Sequence, residues 1–192
     1  MNLHTLKYGC KWFLGRLYCL LCGIRFKQGL KIYGWPIIVR HRSAQISLGQ
    51  GVILNSSPKV NLAGVLRRVT LVAMYPGSEI SIGDFAGLSG AVIFAAKSVH
   101  IGHHVHIGVN TVIYDTDFHP LDYLARREND PAGIAVSAVV IEDDVWIGGN
   151  CIILKGVHIA KRAVIGAGSV VSCDIPENTV WAGNPARFIK KI

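Results

Sequence analysis

IEDDVWIGGNCIILKGVHIAKRAVIGAGSVV, residues 141–171, decides the fold. Ile141, Ile147, Ile153, Ile159, Ile165 and Val171 recur every six residues, and each is apolar and β-branched. A helix repeats at 3.6 residues and a strand at 2, so neither produces a ladder of six. A short fixed period is the mark of a coil wound around a core, with one inward residue on each flat face. Three hexads close one triangular turn, so the spacing predicts a parallel β-helix with about 18 residues per coil.

Upstream the ladder is ragged. Leu48 and Leu54 are six apart and are followed by an irregular basic stretch; Ile82 and Leu88 restart the count, and Ile101, Ile107 and Ile113 continue it. Residue 119 would be the next rung, and it is His119; the pattern then vanishes until Ile141. A 25-residue interruption, 114–138, is longer than a structural connection requires and reads as a functional loop. Gly83, Gly102, Gly108, Gly148 and Gly166 each follow a rung, which suggests corners whose backbone shape only glycine adopts cheaply. The expected architecture is an N-terminal amphipathic helical segment over 1–29, a β-helix over 30–176 and a tail over 177–192.

Net charge is +8, but it is unevenly placed. Eleven basic and no acidic residues precede Glu79; from Glu79 onward nine basic residues face twelve acidic ones. Such asymmetry suits contact with something anionic. In the helical segment Phe13, Leu17, Leu20, Leu21 and Ile24 share a face, flanked by Lys7, Lys11, Arg16, Arg25 and Lys27. Two roles fit: a cap across the coil end, or an interfacial helix on an anionic bilayer through residues 1–28. Arg16 and Gly23 interrupt the apolar run 12–24, which falls short of a membrane span and lacks a small-residue cleavage site. No nucleic-acid module is present, so the basic half is not read as a DNA or RNA surface. Five cysteines without framework spacing fit a reducing compartment, and Cys19-x-x-Cys22 reads as buried thiols. The expected location is cytoplasmic, peripheral at the inner face of the membrane.

A histidine at a break in the ladder suits base catalysis. Imidazole titrates near neutrality, and positioned general bases contribute about 10²–10⁴-fold. Asp115, Asp117 and Asp122 are candidates for orienting the His119 ring or gripping an acceptor. His103, His104 and His106 cluster without a nearby cysteine or carboxylate in sequence, so no metal is expected. Arg126-Arg127 in the loop would suit an anionic acceptor or plain solvation.

The run Tyr114-Asp115-Thr116-Asp117-Phe118-His119-Pro120-Leu121-Asp122 is followed by Val145-Trp146-Ile147-Gly148. Ile165-Gly166-Ala167-Gly168-Ser169-Val170-Val171 and Ala182-Gly183-Asn184-Pro185-Ala186-Arg187 come next. In this order they resemble the hexapeptide-repeat acyltransferases, in the branch of galactoside, maltose and polysaccharide O-acetyltransferases. The resemblance covers residues 80–192 and implies a left-handed coil, a homotrimer with active sites between subunits, and acetyl-CoA as acyl donor. It implies His119 as the general base for a hydroxyl of a sugar or cell-surface glycan, small or lipid-linked, with no metal. It places coenzyme A along Trp146, Gly149, Ala167, Ser172 and Arg187. Ser89 stands where the family often has an acceptor-side asparagine, and Cys173 where it usually has lysine. The competing reading is a non-catalytic β-helix scaffold that binds a partner through loop 114–138.

Overall fold

The six-residue ladder is a stack of inward side chains. Ile141 pairs in register with Ile159, Ile147 with Ile165 and Ile153 with Val171, so eighteen residues bring the chain back one coil higher. All six rungs are buried. At about 1.5–3 kcal/mol for each fully buried aliphatic side chain, this stack is a main source of stability. The computed structural model describes residues 3–192, of which residues 3–8 and 10 as backbone only. It is an all-β, left-handed parallel β-helix with three faces.

Each coil lays one strand on each face. The first holds β1 (Arg25–Phe26), β2 (Lys31–Tyr33) and β3 (Ile37–Arg40), and the second β4 (Gln45–Leu48), β5 (Ile53–Asn55) and β6 (Thr70–Ala73). The third holds β7 (Glu79–Ile82), β8 (Gly87–Ser89) and β9 (Val92–Phe94), and the fourth β10 (Ser98–Ile101), β11 (His106–Ile107) and β12 (Val112–Tyr114). The fifth holds β13 (Val139–Ile141), β14 (Trp146–Ile147) and β15 (Ile152–Ile153), and the sixth β16 (His158–Ile159), β17 (Val164–Ile165) and β18 (Val170–Val171). β19 (Thr179–Ala182) begins a seventh turn on face 2, and β20 (Arg187–Lys191) folds back antiparallel against it.

Two excursions interrupt the winding. Residues 56–69 leave at the edge between faces 2 and 3, in the second coil. Residues 115–138 leave at the edge between faces 3 and 1, after β12, and include a short helix, α2 (Tyr123–Arg127). Ile101 pairs with Ile141, forty residues on, where a plain coil would need eighteen.

The corner glycines work differently from the expectation. Gly83, Gly102, Gly108, Gly148 and Gly166 are absent from the positive-φ residues; the left-handed positions fall two residues later, at Phe85, His104, Asn110, Asn150 and Gly168. What excludes a side chain is stacking. A Cβ on Gly108 would lie 2.4 Å from the Gly149 nitrogen, and one on Gly148 2.5 Å from the Ala167 nitrogen. Successive coils touch backbone to backbone at these corners.

The N-terminal boundary also moves. α1 (Leu3–Leu21) stops well short of residue 29, and residues 25–28 belong to the first coil. The stop is a Schellman turn: Gly23 takes φ +74°, its N–H donates to the Leu20 carbonyl, and the Ile24 N–H donates to the Cys19 carbonyl. Ile24 and Cys19 then enter the core together. α1 lies across the open end of the first coil. Trp12, Gly15 and Cys19 face inward, and a Cβ on Gly15 would meet Ile32 at 3.1 Å. Burial pushes the Cys19 thiol up to about 12, consistent with a structural role. The face of Phe13, Leu17, Leu20 and Leu21 points away from the coil, and only Ile24 of the expected stripe is buried.

Candidate functional site

His119 is not a rung. The inward slot after Ile113 is filled by Ile141, because the whole loop is inserted before that rung. His119 stands outside the prism, exposed, and none of the described side chains hydrogen-bonds its ring. Its backbone is nonetheless fixed. Residues 115–117 and 135–137 zip together: Ser137 donates to the Asp115 carbonyl, Asp117 to the Ala135 carbonyl, and Thr116 bridges Val136. Phe118 takes φ +63°, a left-handed shape that a bulky residue rarely adopts. Its ring packs 4.8 Å from Phe94 and 5.1 Å from Tyr114, centroid to centroid. This aromatic cluster holds the strained turn that presents His119, a role that only the neighbouring coil reveals.

The three loop aspartates do separate jobs. Asp115 is fully buried and accepts hydrogen bonds from the backbone N–H of Ala96 (2.6 Å) and Lys97 (2.7 Å), which pins the loop to the third coil. Burial pushes its carboxyl above the ordinary range, against the pull of those donors. It has no exposure with which to orient an imidazole or touch a sugar. Asp122 caps α2, accepting from the Ala125 N–H at 2.8 Å. Asp115 is therefore corrected from an orienting candidate to a structural anchor, because backbone donors occupy both its oxygens; Asp122, exposed, gives one oxygen to the cap. Asp117 forms a half-buried ion pair with Lys155, 2.7 Å apart. It remains beside the histidine loop without bonding the ring.

A groove of about 420 Å³ runs along face 2 and its edge with face 3. Gly108, Gly148, Gly149, Gly166 and Ala167 floor it, and Trp146 and Val164 wall it. Asn61 and Ala63, from the 56–69 excursion, close its lower end. The floor is braced from inside. The buried Thr111 hydroxyl donates to the Gly148 carbonyl, and the buried Ser169 hydroxyl donates to the Gly166 carbonyl. Such a floor leaves room for a narrow chain lying against backbone.

Trp146, Gly149 and Ala167 thus come together. Arg187 stands at the upper end of the groove, paired with Ala182 across the last hairpin. Ser172 does not join them; it follows β18 at the other edge of face 3. Cys173 is exposed beside it. Ser89 lies at the groove edge, where its hydroxyl accepts from the Asn61 side chain at 3.0 Å. Asn61 was not visible from sequence, because it sits in an excursion outside the ladder. Buried Asn110 holds that excursion, accepting from the Leu66 N–H and donating to the Gly64 carbonyl. The clustered histidines act separately: His103 accepts from the Asp84 N–H, and His104 stacks on Phe85.

Groove and histidine therefore sit on opposite edges of face 3. A face three or four residues across is roughly 10–13 Å wide at ~3.3 Å per residue. Within one chain the groove and the loop face away from each other around the prism.

Residues 138–173 match the model of the bacterial transferase hexapeptide family, described as six repeats. The galactoside O-acetyltransferase of Lactococcus lactis is 42% identical over 94 residues, 49% of this chain and 44% of that one. The galactoside O-acetyltransferase of Escherichia coli K12 is 38% identical over 117 residues, 60% of this chain and 56% of that one. The chain spans about half the length of these curated relatives. A hexapeptide-repeat containing acetyltransferase of Vibrio cholerae, solved complexed with acetyl coenzyme A, is 41% identical with a TM-score of 0.54, covering 58% of this chain and 60% of that one. Another structure of that protein covers 92% of this chain and 77% of its own at 27% identity, with a TM-score of 0.59.

Proposed function

We propose, for a chain that carries the hexapeptide repeat and has galactoside O-acetyltransferases among its relatives, an acetyl-CoA-dependent O-acetyltransferase. Its acceptor is a hydroxyl of a sugar or cell-surface glycan, of the exopolysaccharide, capsule or O-antigen type. One observation carries the reading: an exposed histidine on a pinned loop stands across face 3 from a glycine-floored groove. A scaffold has no use for either in that form.

Acetyl-CoA supplies the acetyl group as an activated thioester. The groove receives the narrow pantetheine arm against its small residues, with Trp146 as a wall and Arg187 as the cation at its end. His119 takes the proton of the acceptor hydroxyl as its oxygen bonds the acetyl carbon, then passes that proton to the departing sulfur. Ser89 and Asn61 offer hydrogen bonds on the acceptor side. The reading joins the half-sites between copies: in a homotrimer the loop edge of one subunit meets the groove edge of the next, and Ser172 approaches the nucleotide from the loop side.

The test is thiol release from acetyl-CoA over a panel of glycan acceptors, with His119→Ala alongside. We expect kcat to fall about 10²–10⁴-fold with the KM for acetyl-CoA little changed. Equal thiol release by the variant overturns the base assignment. No release above the protein-free rate with any acceptor, by the unaltered protein, favours the scaffold.

A further inference from the structure

At the coil end opposite the tail, α1 has two apolar faces and uses only one. Trp12, Gly15 and Cys19 face the core. Phe13, Leu14, Leu17, Leu20 and Leu21 form a stripe about 120° wide on the other side, at 100° per residue. Every one of them is exposed, Phe13 at 64% and Leu21 at 80%. Five large apolar side chains on one turn-to-turn stripe are more than the scattered exposure of an ordinary surface. Trp35, stacked edge-on against Tyr18 and 51% exposed, extends the patch onto the coil.

An arginine pocket adjoins the stripe where α1 ends. It holds about 340 Å³ and is lined by Gly23, Arg25, Arg40, Arg42, Ser43 and Gln45, among others. Arg40 is committed to structure, donating to the carbonyls of Cys22, His41, Arg42 and Ala44. Arg25 touches only the neutral Gln45 side chain, and neither Arg25 nor Arg42 has an acidic partner among the described residues. No acidic residue occurs in the first 78 positions; of the carboxylates nearest this end, Asp84 is paired with Lys27, and Glu79, in register beside Gln45, makes no ion pair with the described arginines.

We infer that this end of the molecule docks on an anionic lipid bilayer, with the Phe13–Leu21 stripe in the acyl boundary and the Arg25/Arg42 pocket on a headgroup phosphate. An amphipathic helix lies in the interface with its apolar face buried about 5–10 Å, and each nearby cation adds about 1 kcal/mol on an anionic surface. No described helix is long and apolar enough to cross a membrane, so the contact is a seat and not a span. Charge decides between occupants. A second copy would bring an equally acid-free end, and two such ends repel; a bilayer of anionic lipid complements both the stripe and the arginines. In a parallel trimer the three ends would lie side by side. With the acetyl-transfer reading, on which this clause alone rests, His119 would work about three coils, roughly 15 Å, above that seat.

The test is flotation of the full chain with vesicles of phosphatidylcholine containing about 30% phosphatidylglycerol, beside pure phosphatidylcholine. We expect binding to the anionic vesicles that weakens at high salt and resists competition by inorganic phosphate. Leu17→Glu with Leu21→Glu should lower partitioning at least about tenfold, since two exposed apolar anchors become charged. Arg25→Gln with Arg42→Gln should lower it roughly tenfold on anionic vesicles and leave the weak neutral-vesicle binding unchanged. Circular dichroism and size in solution check that each variant keeps its fold; both pairs lie on the surface and serve as independent probes. Wild-type protein that stays unbound, or variants that bind as wild type does, would overturn the proposal. Protein that associates end to end in solution and separates on Leu17→Glu with Leu21→Glu would assign the stripe to a second copy instead. Displacement by phosphate alone would reduce the pocket to a free-anion site. Thiol release stays a separate readout, so loss of vesicle binding with intact turnover breaks this inference without touching the activity.

Discussion

Along the edge between faces 2 and 3, consecutive coils turn at Gly108, Gly148 and Gly166, the first two seated on the backbone of the next coil and the third on the Ala182 side chain. Along the edge between faces 3 and 1, the chain leaves after Tyr114 and returns at Val139. The first edge repeats and produces a smooth groove; the second breaks and lifts one histidine off the prism. The difference teaches how a repeat protein divides labour. On the proposed reading, regular corners make a surface matched to a long thin ligand, the interruption places a single reactive group, and neither edge is a site alone.

The comparison breaks most visibly at the anchor of the irregular edge. Asp115→Ala leaves the buried N–H groups of Ala96 and Lys97 without an acceptor, so we expect a loss of about 2–4 kcal/mol in urea unfolding, together with loss of turnover. A variant as stable as wild type would mean the loop is held elsewhere. On the regular edge, Gly148→Ala drives a methyl into the Ala167 backbone at 2.5 Å and should cost about 1–3 kcal/mol. Gly168→Ala is the contrast: φ is +73° with open space around it, so only backbone strain applies, about 1 kcal/mol. The reverse order would reinstate conformational freedom as the reason for the corner glycines.

The third edge, between faces 1 and 2, is the control. Glu142 there accepts from the Lys161 N–H and from His158, each at 2.8 Å, and the Lys161 bond first and His158 second hold its carboxyl below the usual range. A lowered folded value adds stability above the unfolded carboxyl range and loses it as pH falls through the folded value. Glu142→Gln should therefore lower Tm slightly at neutrality, slightly because the group is exposed, and converge on wild type below about pH 4.5, which flattens the acid limb. A change of turnover in this variant would spoil the edge as a control.

The coil was legible because one inward residue per face writes its period directly into the chain: Ile141 to Val171 shows both the stack and its step. The break was legible for the same reason. Its contents were less so. Asp115, Asp117 and Asp122 look alike in sequence, and only the donors supplied by the third coil, by Lys155 and by α2 tell them apart. Asn61 and Asn110 act through an excursion that carries no period. The end of α1 had a local signal, Gly23 before a lone buried Ile24, but the apolar run continued past it and masked it. The stripe of Phe13, Leu17, Leu20 and Leu21 was visible as apolar; its outward direction was not, because Trp12, Gly15 and Cys19 supply a second face that packs.

The central claim is that a working site joins the loop edge of one subunit to the groove edge of another. Two inactive proteins test it directly: His119→Ala, which keeps the groove, and Ala167→Trp, whose exposed position fills the groove without disturbing the core. Co-expressed in equal amounts and assembled at random, they should place an intact loop against an intact groove at roughly one interface in four, and recover about that share of wild-type thiol release. Mixed assemblies as inactive as either parent would contradict the account and put the whole site within one chain.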